Sequence, residues 1–233
     1  MITSSMYIGK VLLPLIRNEP NMGRIAIAAV DTVRTAVQVE PSPHLLCPCR
    51  WQTLAISQVF FLLMAIHPEI QKKAQREIDQ LLGGERLPTL ADQDDLPYIS
   101  ALIREIYRWH TPLPISIPKS LREADDYKGY HLPKGATIME NVWAVFHDPV
   151  MYPEPHIFNP ERLLKDGKLD PSVRNPDDRV FGSARRICPG KYFANRTIFL
   201  RVATILATFD IEPGVKENGQ VESEVRIVDG IVR

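Results

Sequence analysis

Phe181-Gly182-Ser183-Ala184-Arg185-Arg186-Ile187-Cys188-Pro189-Gly190 sets one thiol in a loop punctuated by glycine and proline, with arginines beside it. That combination suits axial thiolate ligation of haem iron, because a sulfur anion needs positive charge and backbone N–H groups nearby. Lys191 to Phe209 follows with apolar residues at helical spacing, so the positive end of a helix and its free amides would face Cys188. Gly182 and Gly190 would let the backbone approach a flat ring, Phe181 would pack on that ring's face, and Arg186 would pair with a carboxylate of the cofactor. Taken alone, a cysteine in a turn is more often a buried apolar thiol; the whole loop tips the reading toward a ligand.

The elements that must hold this loop read as a helical first half followed by irregular chain with short strands. Leu54 to Ile66 is the longest apolar run and reads as a buried core helix, since it is short of the roughly 20 residues that span a bilayer. His67-Pro68-Glu69 ends that helix and starts the next, because proline and acids suit a first helical turn. Glu69 to Leu82 then predicts an amphipathic helix stopped by Gly83-Gly84, with Lys72, Lys73, Arg76 and Glu77 as a solvated face of no assigned function. Leu96 to His110 predicts a further helix closed by Thr111-Pro112. Lys119 to Arg122 and Ala136 to Glu140 read as strands, joined through the turn sequences Tyr127-Lys128-Gly129-Tyr130 and Leu132-Pro133-Lys134-Gly135.

Composition narrows the function classes. The chain has 233 residues, 28 basic against 28 acidic side chains and 20 prolines, which describes a globular chain with many breaks and no basic excess for nucleic acid. Three cysteines are too few and too uneven for a disulfide framework, so a reducing compartment is expected. Cys47-Pro48-Cys49 lacks the second pair that a zinc site needs and is read as incidental. Met1 to Arg17 is interrupted by Lys10 and Pro14 and matches neither a signal peptide nor an anchor.

On a helix, Glu105 and Arg108 stand three apart and share a face. In isolation such a pair is surface decoration worth well under about 1 kcal/mol. Its context is Phe158-Asn159-Pro160-Glu161-Arg162 downstream, followed by the cysteine loop.

In that order the three segments resemble the Glu-x-x-Arg, Pro-Glu-Arg and cysteine-loop motifs of the cytochromes P450. The last reads Phe-Gly-x-Gly-x-Arg-x-Cys-x-Gly in the family, and Ala184 stands where a glycine is usual. If that position needs a positive φ, alanine costs roughly 1 kcal/mol there. The resemblance implies that Glu105, Arg108 and Arg162 form a buried charge triad supporting the cysteine loop, and that Cys188 is the metal ligand. Phe181, Gly182, Arg186, Gly190 and Lys119 are then cofactor contacts, although a strand-end lysine is more commonly just exposed.

Ala28-Ala29-Val30-Asp31-Thr32 resembles the oxygen-activating stretch of the family's long central helix, which implies a proton relay by Asp31 and Thr32. The continuation departs from the family until Thr53-Leu54-Ala55-Ile56-Ser57, and Pro41, Pro43 and Pro48 forbid a continuous helix between. Deleting residues 33–52 restores Ala-Ala-Val-Asp-Thr-Thr. The expectation is a retained intron at Val33 to Gln52, with a natural inserted loop as the alternative.

The expected fold class is therefore mainly α with small β elements, a partial cytochrome P450 fold of the eukaryotic microsomal, fungal-like type. Residues 1–233 would form a single incomplete domain, its C-terminal half, with 33–52 as a non-family insert. The resemblance implies a haem-thiolate monooxygenase that inserts one oxygen atom of O2 into a small hydrophobic substrate. It would use haem b and electrons from NADPH through a flavoprotein reductase, with Arg185 and Lys191 helping to dock that partner. Ile115, Ile117 and residues 227–232 would line the substrate pocket or serve as plain core. An intact relative would sit on the endoplasmic reticulum membrane, whereas no anchor is read in this sequence. The competing expectation is a truncated, catalytically incompetent chain with weak haem binding or a protein-interaction role.

Overall fold

The computed structural model describes residues 25–28 and 48–213, with side chains placed from residue 52 onward except at Ala184. Helices account for about half of it. The long ones are α1 (Pro48–Ile66), α2 (Pro68–Leu82), α3 (Pro97–His110) and α6 (Lys191–Thr208), with the short α4 (Val142–Phe146) and α5 (Asp177–Val180) between the last two. Strands are brief: β1 (Ile25–Ala28), β2 (Lys119–Ser120), β3 (Asp125–Tyr127), β4 (Tyr130–Leu132), β5 (Thr137–Ile138), β6 (Leu164–Lys165), β7 (Lys168–Leu169) and β8 (Phe209–Glu212). They pair two at a time, β1 parallel to β8 and the others as antiparallel β2/β5, β3/β4 and β6/β7.

One apolar cluster joins the four long helices. Phe60, Leu63 and Met64 of α1, Ala74 and Ile78 of α2, Ile99, Leu102 and Ile106 of α3, and Phe199, Val202 and Leu206 of α6 are all essentially inaccessible to solvent. The α1 and α2 axes turn through 105° at His67, because Pro68 brings no N–H to continue α1 and its ring suits the first turn of a new helix. Gly83 closes α2 in the left-handed conformation with φ 60°, its amide reaching the Asp79 carbonyl at 2.8 Å. No single helix among the described residues is long and apolar enough to cross a membrane.

Polar side chains then fix the packing. Gln71 both donates to and accepts from the Ile211 backbone, at 3.0 and 2.8 Å, and Gln75 donates to Phe209 O at 3.1 Å, so α2 is sewn to β8 like an extra strand. Glu77 is half-buried and accepts the Tyr98 and Ile99 amides at 2.7 and 3.0 Å. It satisfies two orphan donors at the N-terminus of α3 and so leaves the solvated face to which the sequence assigns it. Burial pushes its carboxyl pKa up, opposed by those two amides.

Three local differences from the sequence reading have simple causes. Ala28 belongs to β1, paired with Glu212, where the family resemblance expects helix; Ile-Ala-Ile-Ala alternates with the period of a strand. Residues 48–52 join α1 because Pro48 is tolerated at a helix start, so the helix begins inside the proposed insert. Asp125–Tyr127 and Tyr130–Leu132 form a hairpin around Lys128 (φ 49°) and Gly129 (φ 83°), a two-residue turn with both centres left-handed. The turn is legible, but the acidic strand leading into it is not.

Candidate haem-thiolate site

Cys188 sits between two helices that the loop joins. α5 ends at Val180, and Gly182 follows with φ 75°, a left-handed residue whose amide reaches the Arg179 carbonyl at 3.0 Å. Ala184–Arg186 makes one 3-10 turn, after which the Cys188 amide returns to the Phe181 carbonyl at 2.7 Å and closes the loop. The Lys191 amide then meets the Cys188 carbonyl at 3.2 Å, and α6 starts with Gly190 as its cap. Left-handed geometry therefore falls on Gly182. Ala184 opens a right-handed turn, in which the departure from the family's glycine costs no left-handed strain.

The donor set fits a haem-thiolate centre. Cys188 is free of any disulfide and half-buried, at the N-terminal end of an 18-residue helix. A Cβ on Gly190 would meet its sulfur at 3.7 Å, an ordinary van der Waals contact, so this glycine lies beside the thiol. Arg186 is exposed and makes no side-chain hydrogen bond or ion pair among the described residues, which leaves its guanidinium available to a carboxylate. Ile187, Tyr192 and Phe193 add exposed apolar surface around the loop. No cluster of three or more metal-ligating side chains occurs among the described residues.

Behind the loop, α3 carries a fully buried ion pair. Glu105 receives both Arg108 Nε and Nη2 at 2.8 Å, Arg162 Nε at 3.1 Å and the Asn159 amide at 3.1 Å. Arg108 has no exposed surface, and its other donors reach the Phe146, Pro155 and Ile157 carbonyls at 2.9, 2.8 and 3.4 Å. Arg162 does the same for Pro153, Glu154 and Ile157. Two guanidiniums with one carboxylate therefore clasp the carbonyls of an irregular segment, whose dipoles offset the second positive charge. The clasp holds strained backbone at both ends, at Glu154 (φ 50°) and at buried Thr111 (φ 44°), whose hydroxyl donates to the Arg108 carbonyl at 2.7 Å.

The structure thus brings Phe181, Gly182, Cys188 and Gly190 into one loop and Glu105, Arg108 and Arg162 into one network. Phe181 is half-buried and meets the Tyr107 ring edge-on at 5.7 Å. Lys119 is half-buried in β2 and has no hydrogen bond or ion pair among the described residues. Ile115 and Ile117 are exposed. Asp31, Thr32 and residues 227–232 lie outside the described residues.

Sequence reasoning misses a second polar chain beside the loop. Tyr107 Oη donates to Asn195 Oδ1 at 3.0 Å, and Asn195 Nδ2 donates to Asp177 Oδ2 at 2.9 Å. Lys191 pairs with Asp178 at 3.2 Å, and Arg179 with Glu140 at 2.7 Å. The only trace in the sequence is that Tyr107 falls inside the Glu-x-x-Arg segment.

Comparison with known proteins gives concordant matches. The family model described as Cytochrome P450 matches residues 53–229. Cytochrome P450 monooxygenase COX2 of Coprinopsis cinerea is 48% identical over 164 residues, covering 70% of this chain and 31% of that protein. Cytochrome P450 monooxygenase claT of Ampulloclitocybe clavipes is 41% identical over 185 residues, covering 78% and 37%. A zebra fish cytochrome P450, in a structure with abiraterone, superposes with a TM-score of 0.60 at 30% identity, over 66% of this chain and 35% of that one. The chain spans about a third of the length of the curated relatives it matches. Its motifs, its helical architecture and these matches agree: the chain belongs to the cytochrome P450 family.

Proposed function

We propose that this chain supplies the cysteine-ligand portion of a haem-thiolate monooxygenase acting on a small hydrophobic substrate. The observation that carries the reading is Cys188: an unpaired, half-buried thiol held by a closed loop at the N-terminus of α6. Bound haem would supply the oxygen chemistry, with electrons from NADPH delivered by a flavoprotein reductase. The chain's own residues would hold the thiolate at Cys188, take up a carboxylate at Arg186, and brace both through Glu105, Arg108 and Arg162. Asp31 and Thr32 are proposed as the proton relay and Lys119 as a second carboxylate contact. Residues 33–52 are proposed as an insert, and the family match starts just after them at Thr53.

The test is the reduced, carbon monoxide-bound absorption spectrum of the purified chain mixed with haem. A red-shifted Soret band that disappears in Cys188→Ser supports ligation by this sulfur, and an unchanged band in that variant overturns it. A second reading, a chain with weak haem binding and no turnover, is favoured by exposed Ile115, Ile117, Ile138 and Met139. Absent haem uptake under the same conditions selects it.

A further inference from the structure

We infer that Asp177 and Asn195 are positioning residues for Cys188, joined by the Tyr107 hydroxyl to the helix that carries the charge triad; this rests on the ligand reading above. Asp177 opens the helix before the cysteine loop, and Asn195 lies in the second turn of the helix after it. Their 2.9 Å hydrogen bond is thus a brace across the open ends of the loop, outside the 2.7 Å bond from the Cys188 amide to the Phe181 carbonyl. Tyr107, 1% exposed, anchors the brace to α3 through Asn195 Oδ1 at 3.0 Å, and its ring meets the first loop residue, Phe181, edge-on.

The arrangement is more exacting than packing requires. Asn195 uses one amide as donor and acceptor toward two fixed partners, so its orientation is determined by the network. Asp177 is 8% exposed, and its Oδ1 is buried without a hydrogen bond, a cost that an apolar residue would avoid. Arg104 and Lys191 supply positive charge to that carboxylate, while Asp178 opposes it. A buried acid kept at such a cost makes sense where geometry rather than stability is being specified. The triad fixes α3, Tyr107 carries that position one residue along the same helix, and the Asn195–Asp177 bond transfers it to both flanks of the sulfur-bearing loop.

The experiment uses the full chain in two states. Without haem, Cys188 alkylation is followed by peptide mass spectrometry, which separates it from Cys47 and Cys49, while circular dichroism monitors folding. Asp177→Ala and Asn195→Ala should each raise the Cys188 rate about fivefold, the population change one lost hydrogen bond permits, at unchanged helical signal. Asp177→Asn, which still accepts from Asn195, should stay within about twofold of the parent rate. With haem and carbon monoxide, the alanine variants should shift intensity from the thiolate Soret band to the band of a neutral axial ligand, and Asp177→Asn should not. Parental alkylation rates in folded alanine variants overturn the inference even if the thiolate band persists. A rate increase in a chain whose parent shows no thiolate band leaves the brace standing and removes the ligand reading instead. Should the alanine variants unfold, Tyr107→Phe removes one hydroxyl and keeps the ring; a rate increase of about twofold or more sustains the inference, and none overturns it.

Discussion

Glu105→Ala is the most telling single perturbation of the bracing network. The side chain has no exposed surface and accepts four hydrogen bonds, two from Arg108 and one each from Arg162 and the Asn159 amide. Removing it leaves the Arg108 guanidinium buried with carbonyl partners alone, a loss of about 3–5 kcal/mol. Against a domain stability of about 5–15 kcal/mol, that is about a fifth or more of the total. With a urea dependence of about 2 kcal/mol per molar, the unfolding midpoint should fall by about 2 M. Glu105→Gln keeps the volume but turns an amide toward the arginines, so it should lie between the parent and the alanine variant. Combining Glu105→Leu with Arg108→Met should recover only part of the loss, because the Phe146 and Pro155 carbonyls lose their donor as well. A midpoint shift below about 0.5 M for Glu105→Ala, at unchanged slope, refutes the view that this carboxylate holds the segment together.

Three further outcomes are expected. Asp92 is held well below the usual carboxylate range, first by the Arg86 guanidinium and then by the Thr89 hydroxyl and amide. Its folded-state pKa lies below the unfolded one, so its stabilisation is complete above about pH 4 and is lost as pH falls through the folded value; Asp92→Asn should flatten the acid limb of urea midpoints measured against pH. Arg201 is mostly buried with Ser57 as its hydrogen-bond partner at 2.6 Å, and burial pushes its pKa down with no carboxylate opposing among the described residues. Arg201→Met should therefore be neutral or stabilising by about 1 kcal/mol, and a large loss in thermal unfolding contradicts this. Gly182→Ala should cost about 1–2 kcal/mol at φ 75°, whereas Ala184→Gly, which restores the family's residue, should bring no gain in the same denaturation assay.

What the sequence reveals and what it hides divide along physical lines. Helices α1, α2, α3 and α6 are legible because apolar spacing, Pro68 and Gly83-Gly84 mark their faces and ends locally. The Glu105, Arg108 and Arg162 meeting is legible only through motif order, since 57 positions separate Glu105 from Arg162 and nothing local joins them. The capping role of Glu77, the sewing of α2 to β8 by Gln71 and Gln75, and the Asn195–Asp177 brace depend on which helices become neighbours, and isolated polar residues carry no record of that. Ala184 is the instructive case: its identity alone suggests strain, but the strain depends on a backbone angle that the loop assigns to Gly182 instead.

The clasp of two guanidiniums on the carbonyls of Pro153, Pro155 and Ile157 also bears on how this protein opens. A stretch with no ladder of its own would ordinarily fray before the helices do. Here its release would take the Pro155 and Ile157 carbonyls from the buried Arg108 guanidinium, and the Arg162 and Asn159 donors from the buried Glu105, so the segment should come free only when α3 itself melts. Hydrogen exchange at the Ile157 and Asn159 amides, bonded to Glu154 and Glu105, should accordingly be as slow as at the centre of that helix. An irregular ribbon would then belong to the last part of the molecule to give way.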